Sequence, residues 1–346
     1  MSFIPTTFNE IIPSYTVVGG RERLGSTGLS AVLLNRGGRF SRRRVFHELE
    51  KTGFDTVVSI EPAPARYDID ELSTRFPFVR FILLRDTISH GEQINLGASE
   101  TDSPLFFVLW NDLKIIAGGT ARRMAERLTY TSENNGDSGE KSQFKRLCTV
   151  PMIQNSRFET IPTLMVPTRY RNKIATLFLN PATEGLPSLY PFDGVGIYDR
   201  DRFIRLGGFD STIKNRFWQL MDFGFRAWLW GEEISSAKAL KLSYDAEVPA
   251  EDNSVNTDYY RFYLKNMAPV FRGDFAHLPF RRFPGYILRA CASRCTGGIF
   301  SAWEDFSESR RWVIKNRFRW RHSPETVTGR WNLDNDGENF TPENGG

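Results

Sequence analysis

The chain has 346 residues, 40% of them hydrophobic and 14% aromatic, with 45 Lys and Arg against 41 Asp and Glu for a formal charge of +4. That length and apolar content exclude a small staple-dependent fold and a disordered or low-complexity chain. The near-neutral total names no partner. The charge is unevenly placed: residues 255–321 carry 13 basic and 5 acidic side chains with 15 of the 47 aromatics, residues 323–346 carry one Arg against five acids, and residues 1–254 are neutral. Cys148, Cys291 and Cys295 are an odd number for a disulfide framework, and no His lies near them to complete a zinc site. They read as buried free thiols in a reducing compartment. The N-terminal residues show no basic segment followed by an apolar one, and nowhere do 18 apolar residues run together, so a cytoplasmic protein is expected.

From residue 29, short β-branched or aromatic runs alternate with amphipathic stretches. The periodicities predict strands at Leu29–Leu34, Asp55–Ile60, Val79–Leu84 and Leu105–Trp110, with helices at Phe40–Lys51, Asp68–Phe76 and Glu92–Glu100 between them. Repetition of strand and helix at intervals of about 25 residues specifies βαβ units and a parallel sheet covered on both faces. Ala121–Leu128 follows as a helix, SENNGDSGEKS as a polar loop, and Leu147–Ile153 and Val195–Tyr198 as further apolar runs. Phe217–Trp230 is apolar on nearly every side and reads as a buried helix whose only charges are Asp222 and Arg226. The expected division is an N-terminal segment (1–28), an α/β domain (29–254), a helical basic and aromatic extension broken at Pro269, Pro279 and Pro284 (255–322), and an acidic, disordered tail (323–346).

Two segments carry chemistry. In LFFVLWNDL, five apolar residues run into Trp110, Asn111 and Asp112. A carboxylate at the C-terminal end of a parallel strand sits where open α/β sheets bind ligands, and it can hold a divalent cation against a diphosphate or simply cap the turn that follows. Asp222 lies on the buried helix, where a lone charge is too costly, so it is paired with Arg226 one turn on, or is a general base oriented by that Arg, or both. RGGRF at Arg36–Phe40 lacks both GxGxxG and a P-loop and reads as a turn near a donor diphosphate. His47, His90, His277 and His322 are scattered, with no Ser-His-Asp order and no HExxH helix, which leaves hydrolase and zinc readings unsupported.

Together these segments resemble the family 2 glycosyltransferases of the GT-A fold, from about Leu29 to about Asn266. The opening strand with Asn35 and VVSIEP with Glu61 are similar to that family's first two nucleotide-binding strands. GEQINLGASETDSPLFFVLWND resembles its Gly and Asn-x-Gly helix before the DxD strand, matching Gly91, Asn95, Gly97 and Asp112. The GGFD turn, the MDFGFR helix and Lys265-Asn266 resemble its GGFD, acidic ED-type and closing Arg-Asn elements. The resemblance implies an α/β, GT-A-like, mostly parallel twisted sheet flanked by helices. It further implies an inverting hexosyltransferase moving sugar from a UDP- or GDP-linked donor to a glycan or lipid-linked hydroxyl acceptor in cell-surface glycan biosynthesis. It places Asn35, Glu61, Asn95, Asn111, Asp112, Gly207 and Gly208 at the donor, a Mg or Mn ion on Asp112, Asp222 as general base, and Asp210 and Arg226 on the acceptor side. Three departures stand out. Trp110 occupies the place of the first DxD acid, Met221 that of the ED glutamate, and no His follows the base helix, so that Tyr244, Asp245 or Glu247 must substitute. These losses make a catalytically degenerate binding or scaffold protein on the same fold the alternative.

The late run RRWVIKNRFRWRH alternates Arg or Lys with Trp, Phe, Val and Ile. That pattern suits a helix on an anionic membrane surface, and also a helix packed back on the domain with snorkelling arginines. Both readings stay open, packing on the domain ranking first and peripheral contact with the inner face of a membrane through residues 281–321 second, and no nucleic-acid partner is expected, since no binding module accompanies the charge.

Overall fold

The structure, a computed structural model, describes residues 13–36, 41–62, 68–116, 119–134, 145–170, 173–245, 250–292 and 298–331. The chain opens with β1 (Tyr15–Gly19) and β2 (Leu29–Leu34), followed by α1 (Arg42–Glu50), β3 (Val57–Glu61), α2 (Ile69–Arg75), β4 (Val79–Leu84), α3 (His90–Glu100) and β5 (Leu105–Trp110). Then come β6 (Leu113–Ile115), α4 (Thr120–Asn134), β7 (Lys145–Gln154), a separate hairpin of β8 (Leu164–Tyr170) and β9 (Lys173–Leu179), β10 (Gly196–Asp199), α5 (Arg200–Leu206), α6 (Arg216–Leu229) and β11 (Glu232–Tyr244). Helices α7 (Thr257–Phe262), α8 (Phe283–Ala292), α9 (Ile299–Asn316) and α10 (Pro324–Gly329) complete the described chain.

The main sheet has the order β1-β4-β3-β2-β5-β10-β7-β11-β6. Strands β2 to β5 are mutually parallel, β7 and β11 are parallel to each other, and β10 is antiparallel to β5 and β7. The antiparallel β1 and β6 close the edges. The expected mixed α/β fold with a large, mostly parallel sheet flanked by helices is therefore borne out. Every residue of β2, β3 and β5 is buried, as continuous apolar strands require when helices cover both faces. A Ser89–Glu92 capping box starts α3. Gly97 lets that helix close on the sheet, since a Cβ there would stand 2.3 Å from Val32 Cγ1.

The chain lays down β2, β3 and β4 in one direction and then places β5 on the other side of β2. This reversal is a topological switch point, where open α/β sheets leave a crevice beyond the strand ends. Asn35 and Arg36 leave β2 there, and Asn111 and Asp112 leave β5.

The predicted elements fall within a few residues of the observed ones, with additions. Helix α4 runs on to Asn134, into the segment expected to be loop. Strand β11 was hidden from its pattern by the exposed Lys238, Ala237/Lys241 marking a break in its register with β7. The extension begun at residue 255 belongs to the same core: Trp218 of α6 meets Tyr259 and Phe262 of α7 at ring distances of 4.8 and 5.7 Å. The expectation of a disordered tail from residue 323 is corrected for its first nine residues. Ser323 caps α10, and Trp331, 4% exposed, packs edge-on against Trp228 at 5.3 Å, so aromatic burial outweighs the acidic composition. Residues 332–346 lie outside the described residues.

The basic run divides by face. On α9, Phe306, Trp312 and Val313 point into the core, with Trp312 stacked on Trp230 at 6.1 Å, while Arg310, Arg311 and Ile314 are exposed. Cys148 is buried, whereas Cys291 is exposed, contrary to expectation, and Cys295 lies outside the described residues. Among the described residues no helix is long and apolar enough to cross a membrane.

Candidate functional site

Several residues that the sequence suggested for donor and acceptor binding are joined to one another inside the protein. Asn95 on α3 donates to Phe209 O and accepts from Phe209 N, both at 2.8 Å, which pins the Gly207-Gly208-Phe209-Asp210 turn. The turn takes φ values of 94° and 65° at Gly207 and Gly208, and a Cβ at Gly208 would stand 2.3 Å from Asn95 Oδ1. Gln219 of α6 extends the link, accepting from Gly91 N at 2.9 Å and donating to Asp210 O at 2.8 Å. The Asp210 carboxylate is 0% exposed and accepts from Lys265 Nζ at 2.5 Å. Burial pushes its pKa up, but the ammonium and the Thr212 hydrogen bonds outweigh that and hold it below the ordinary value.

Asp222 and Arg226 are both 0% exposed. Asp222 Oδ2 accepts from Arg226 Nη2 at 2.8 Å and Oδ1 from Asn266 Nδ2 at 2.7 Å, while Arg226 also donates to Leu206 O and Gly208 O at 2.8 Å each. Neither oxygen of Asp222 faces a cleft. In this structure Asp222 is the counter-ion of a buried arginine, because a charge fully removed from water persists only when paired. Arg226, Asp210, Asn95, Gly207 and Gly208 are likewise parts of the packing that holds α3, α5, α6 and the segment after α7 together.

A different set gathers at the switch point. Asn35 donates to Ile60 O at 2.6 Å and keeps Oδ1 buried without a hydrogen-bond partner. Glu61 is 0% exposed, hydrogen-bonded by Ser59 Oγ at 2.6 Å and paired with Arg42 Nη2 at 3.4 Å. Asn111 Oδ1 accepts from Arg36 N at 3.1 Å. The Arg36 guanidinium lies over the Trp110 ring, 4.0 Å from its centroid, 3.7 Å from Asp112 Oδ2, and paired with Asp193 Oδ2. Asp193 sits in the left-handed region at φ 57°, held by Trp110 Nε1 on its carbonyl at 3.1 Å, by Tyr244 Oη on Oδ2 at 2.8 Å and by Arg216 Nη1 on Oδ1 at 3.0 Å. Burial pushes the Asp112 carboxyl up, with Arg36 offsetting part of this. His90, edge-on to Trp110 at 5.0 Å, is pushed down to about 4 by burial and by Arg216 and Arg36, and is neutral at physiological pH.

This set does not fit a divalent metal. Such an ion needs several oxygen ligands at about 2.0–2.6 Å. Only Asp112 stands at the strand end. Asp193 is already engaged by two guanidinium groups and a phenol, Asp245 pairs with Lys114 Nζ at 2.5 Å, and Glu247 lies outside the described residues. Among the described residues no group of three or more His, Cys, Asp or Glu could hold a metal.

Beyond Arg216 a cavity of about 310 Å³ is walled by Ile161, Phe178, Phe192 and Phe217 and also lined by Glu251. Glu251 Oε2 accepts from Tyr190 Oη at 3.1 Å, while Oε1 is buried without a hydrogen-bond partner. Burial pushes its carboxyl up, partly offset by Tyr190 and Arg216. Arg216 thus stands between two carboxylates, one toward the strand ends and one toward the cavity. The sequence marked Arg36 as near the diphosphate but missed Asp193, Arg216 and Glu251. Asp193-Gly194 carried a turn signal; Arg216 and Glu251 carried none.

No family model and no curated protein matches the sequence. Among solved structures, the chain is similar to "GalNAc-T7 with UDP, GalNAc and Mn2+" at 13% identity and a TM-score of 0.49, over 83% of this chain and 56% of that one. It is similar to S. aureus TarS at 13% identity and a TM-score of 0.47, over 68% of this chain and 38% of that one. Against S. aureus TarS 1-349 in complex with UDP-GlcNAc the values are 10% and 0.49, over 92% and 97%. The chain thus spans little more than half the length of the first and less of the second. These values assign neither family nor activity, which rest on the chain's own residues.

Replacing Asp222 by Ala leaves the Arg226 guanidinium buried and uncompensated, so urea denaturation is expected to show a loss of about 3–5 kcal/mol. A general base exposed in a cleft would instead leave stability nearly unchanged.

Proposed function

We propose that the chain is a nucleotide-sugar glycosyltransferase that holds its donor diphosphate at the crevice between β2 and β5 and deprotonates its acceptor in the cavity lined by Glu251. The observation that carries this is the meeting of Arg36, after β2, and Asp112, after β5, at the switch point, with Arg216 linking Asp193 there to Glu251, whose Oε1 has no hydrogen-bond partner and which lines a cavity. In the reaction the acceptor oxygen forms a bond to the anomeric carbon, and the bond from that carbon to the phosphate oxygen breaks. The nucleoside diphosphate leaves with the bonding electron pair, and the acceptor proton passes to Glu251. Attack from the face opposite the leaving group gives inversion. A carboxylate with an elevated pKa is a stronger base than an ordinary one. Phe192 and Phe217 suit the apolar face of a sugar ring.

The exposed face of the C-terminal helices supports a lipid-linked acceptor. Leu288, Ile299, Phe300 and Phe318 are 72%, 64%, 91% and 63% exposed, and Trp303 and Ile314 add to them. Phe300, Trp303, Arg310 and Ile314 lie along one side of α9 by helical spacing. Residues 281–321 carry ten Arg or Lys against three acids. Exposed aromatic side chains set among arginines on a helical face match the interface of an anionic bilayer, where rings enter the headgroup layer and guanidinium groups meet lipid phosphate.

Two experiments follow. With UDP- and GDP-sugars as donors, Glu251→Gln is expected to lower turnover about 10²–10⁴-fold while leaving donor binding intact. In the unmodified protein the acid limb of kcat/KM should lie above the ordinary carboxylate range, since protonation of Glu251 abolishes the base; unchanged turnover in the variant excludes Glu251, and nucleotide binding without any turnover identifies the degenerate binding protein. In co-sedimentation, the protein should bind phosphatidylglycerol vesicles and not phosphatidylcholine vesicles, with Phe300→Glu and Trp303→Glu weakening it. Equal partition to both, or to neither at low salt, contradicts the membrane face.

A further inference from the structure

We propose that Arg36 and Arg216 neutralise the donor diphosphate in place of a divalent metal, so that nucleotide binding is metal-independent. The inference rests on the transferase reading of the switch point and concerns what supplies positive charge there. A nucleoside diphosphate brings at least two negative charges into a crevice where Asp112 is 5% and Asp193 2% exposed, so a counter-charge is required on the spot.

Three observations point to the guanidinium groups as that counter-charge. First, Trp110 stands where an acidic ligand would be needed, and its ring instead carries the face of Arg36 at 4.0 Å. An indole in that place supports a cation and cannot ligate a metal. Second, the Arg36 contacts leave donor capacity: its distance of 3.7 Å to Asp112 is beyond hydrogen-bond length, and its Nε is buried without a hydrogen-bond partner. A planar fork whose face is covered and whose edge is incompletely used matches the paired oxygens of a phosphate. Third, Asp193 is bridged by Arg36 on one oxygen and Arg216 on the other. One carboxylate thus sets two guanidinium groups side by side. A diphosphate entering beside them meets both guanidinium groups at once, and each can bind a phosphate oxygen in exchange for part of its contact with Asp112 or Asp193. On arrival the diphosphate takes the guanidinium edges toward itself, and Asp112 and Asp193 remain as the acceptors that orient them.

The test is isothermal titration of UDP and of GDP into the full chain in EDTA and again in manganese. The expected result is equal affinity in both conditions for whichever nucleotide binds. Arg36→Ala should weaken that affinity about 10- to 100-fold, and Arg36→Lys less, since it keeps the charge and loses the fork. A thermal melt of each variant checks folding, and the comparison of EDTA with manganese on the unmodified chain needs no variant. Binding that appears only with manganese overturns the inference and leaves the transferase reading standing. Equal affinity with Arg36→Ala unchanged in a folded variant overturns the role of Arg36. Absence of binding by either nucleotide in both conditions overturns the transferase reading itself.

Discussion

A carboxylate and a guanidinium wholly removed from water organise this molecule. Arg226 spends its donors on Leu206 O, Gly208 O and Asp222, and Asp222 takes Asn266 with its remaining oxygen. The carbonyls lie at the end of α5 and in the turn after it, the acid on α6, and the amide beyond α7, so one ion pair ties three consecutive regions. Isolated, either charge would cost several kcal/mol, which makes the arrangement all-or-none. The same turn is pinned from the other side by Asn95, and its Asp210 by Lys265. The helices that flank the crevice are therefore fixed by a network of buried polar groups.

This arrangement explains which parts of the molecule were legible in the sequence. The parallel strands were, because a strand buried on both faces must be a continuous apolar run, and LSAVLL and LFFVLW can be little else. The motif residues were also found, but most of their partners were not. A string shows that Asp222 and Arg226 are one turn apart; it does not show that Asn266, 44 residues later, closes the second oxygen. The same holds for the carboxylate that lines the cavity. Glu251 follows a strand in a stretch without periodicity, and only the approach of the β8–β9 hairpin and α6 gives it apolar surroundings. The basic run was read two ways, as a membrane-facing helix and as a helix packed back on the domain, and α9 carries Trp312 inward against the domain and Arg310 outward and exposed.

Chemistry is concentrated where the packing leaves polar groups incompletely satisfied. At the strand ends Asn35 Oδ1, Asp112 Oδ1 and Arg36 Nε are buried without hydrogen-bond partners, as are Asn266 Oδ1 and Ser235 Oγ elsewhere in the interior. Buried polar groups are ordinarily hydrogen-bonded, so a cluster of exceptions in one crevice marks a place built for a polar ligand. The cluster contains as many guanidinium groups as carboxylates, if Arg36 and Arg216 are set against Asp112 and Asp193. An anion entering it meets cations already gathered there, which lowers the cost of ordering them.

The central claim is that a nucleoside diphosphate occupies the crevice between β2 and β5 on the guanidinium edges of Arg36 and Arg216. The most direct measurement is a crystal structure of the chain with UDP, or with GDP if that is the nucleotide bound, grown in the presence of a chelator. The account predicts phosphate oxygens within hydrogen-bond distance of both side chains, with Asp112 and Asp193 behind them. Diphosphate density elsewhere on the molecule, or ordered nucleotide with neither arginine in contact, would contradict it.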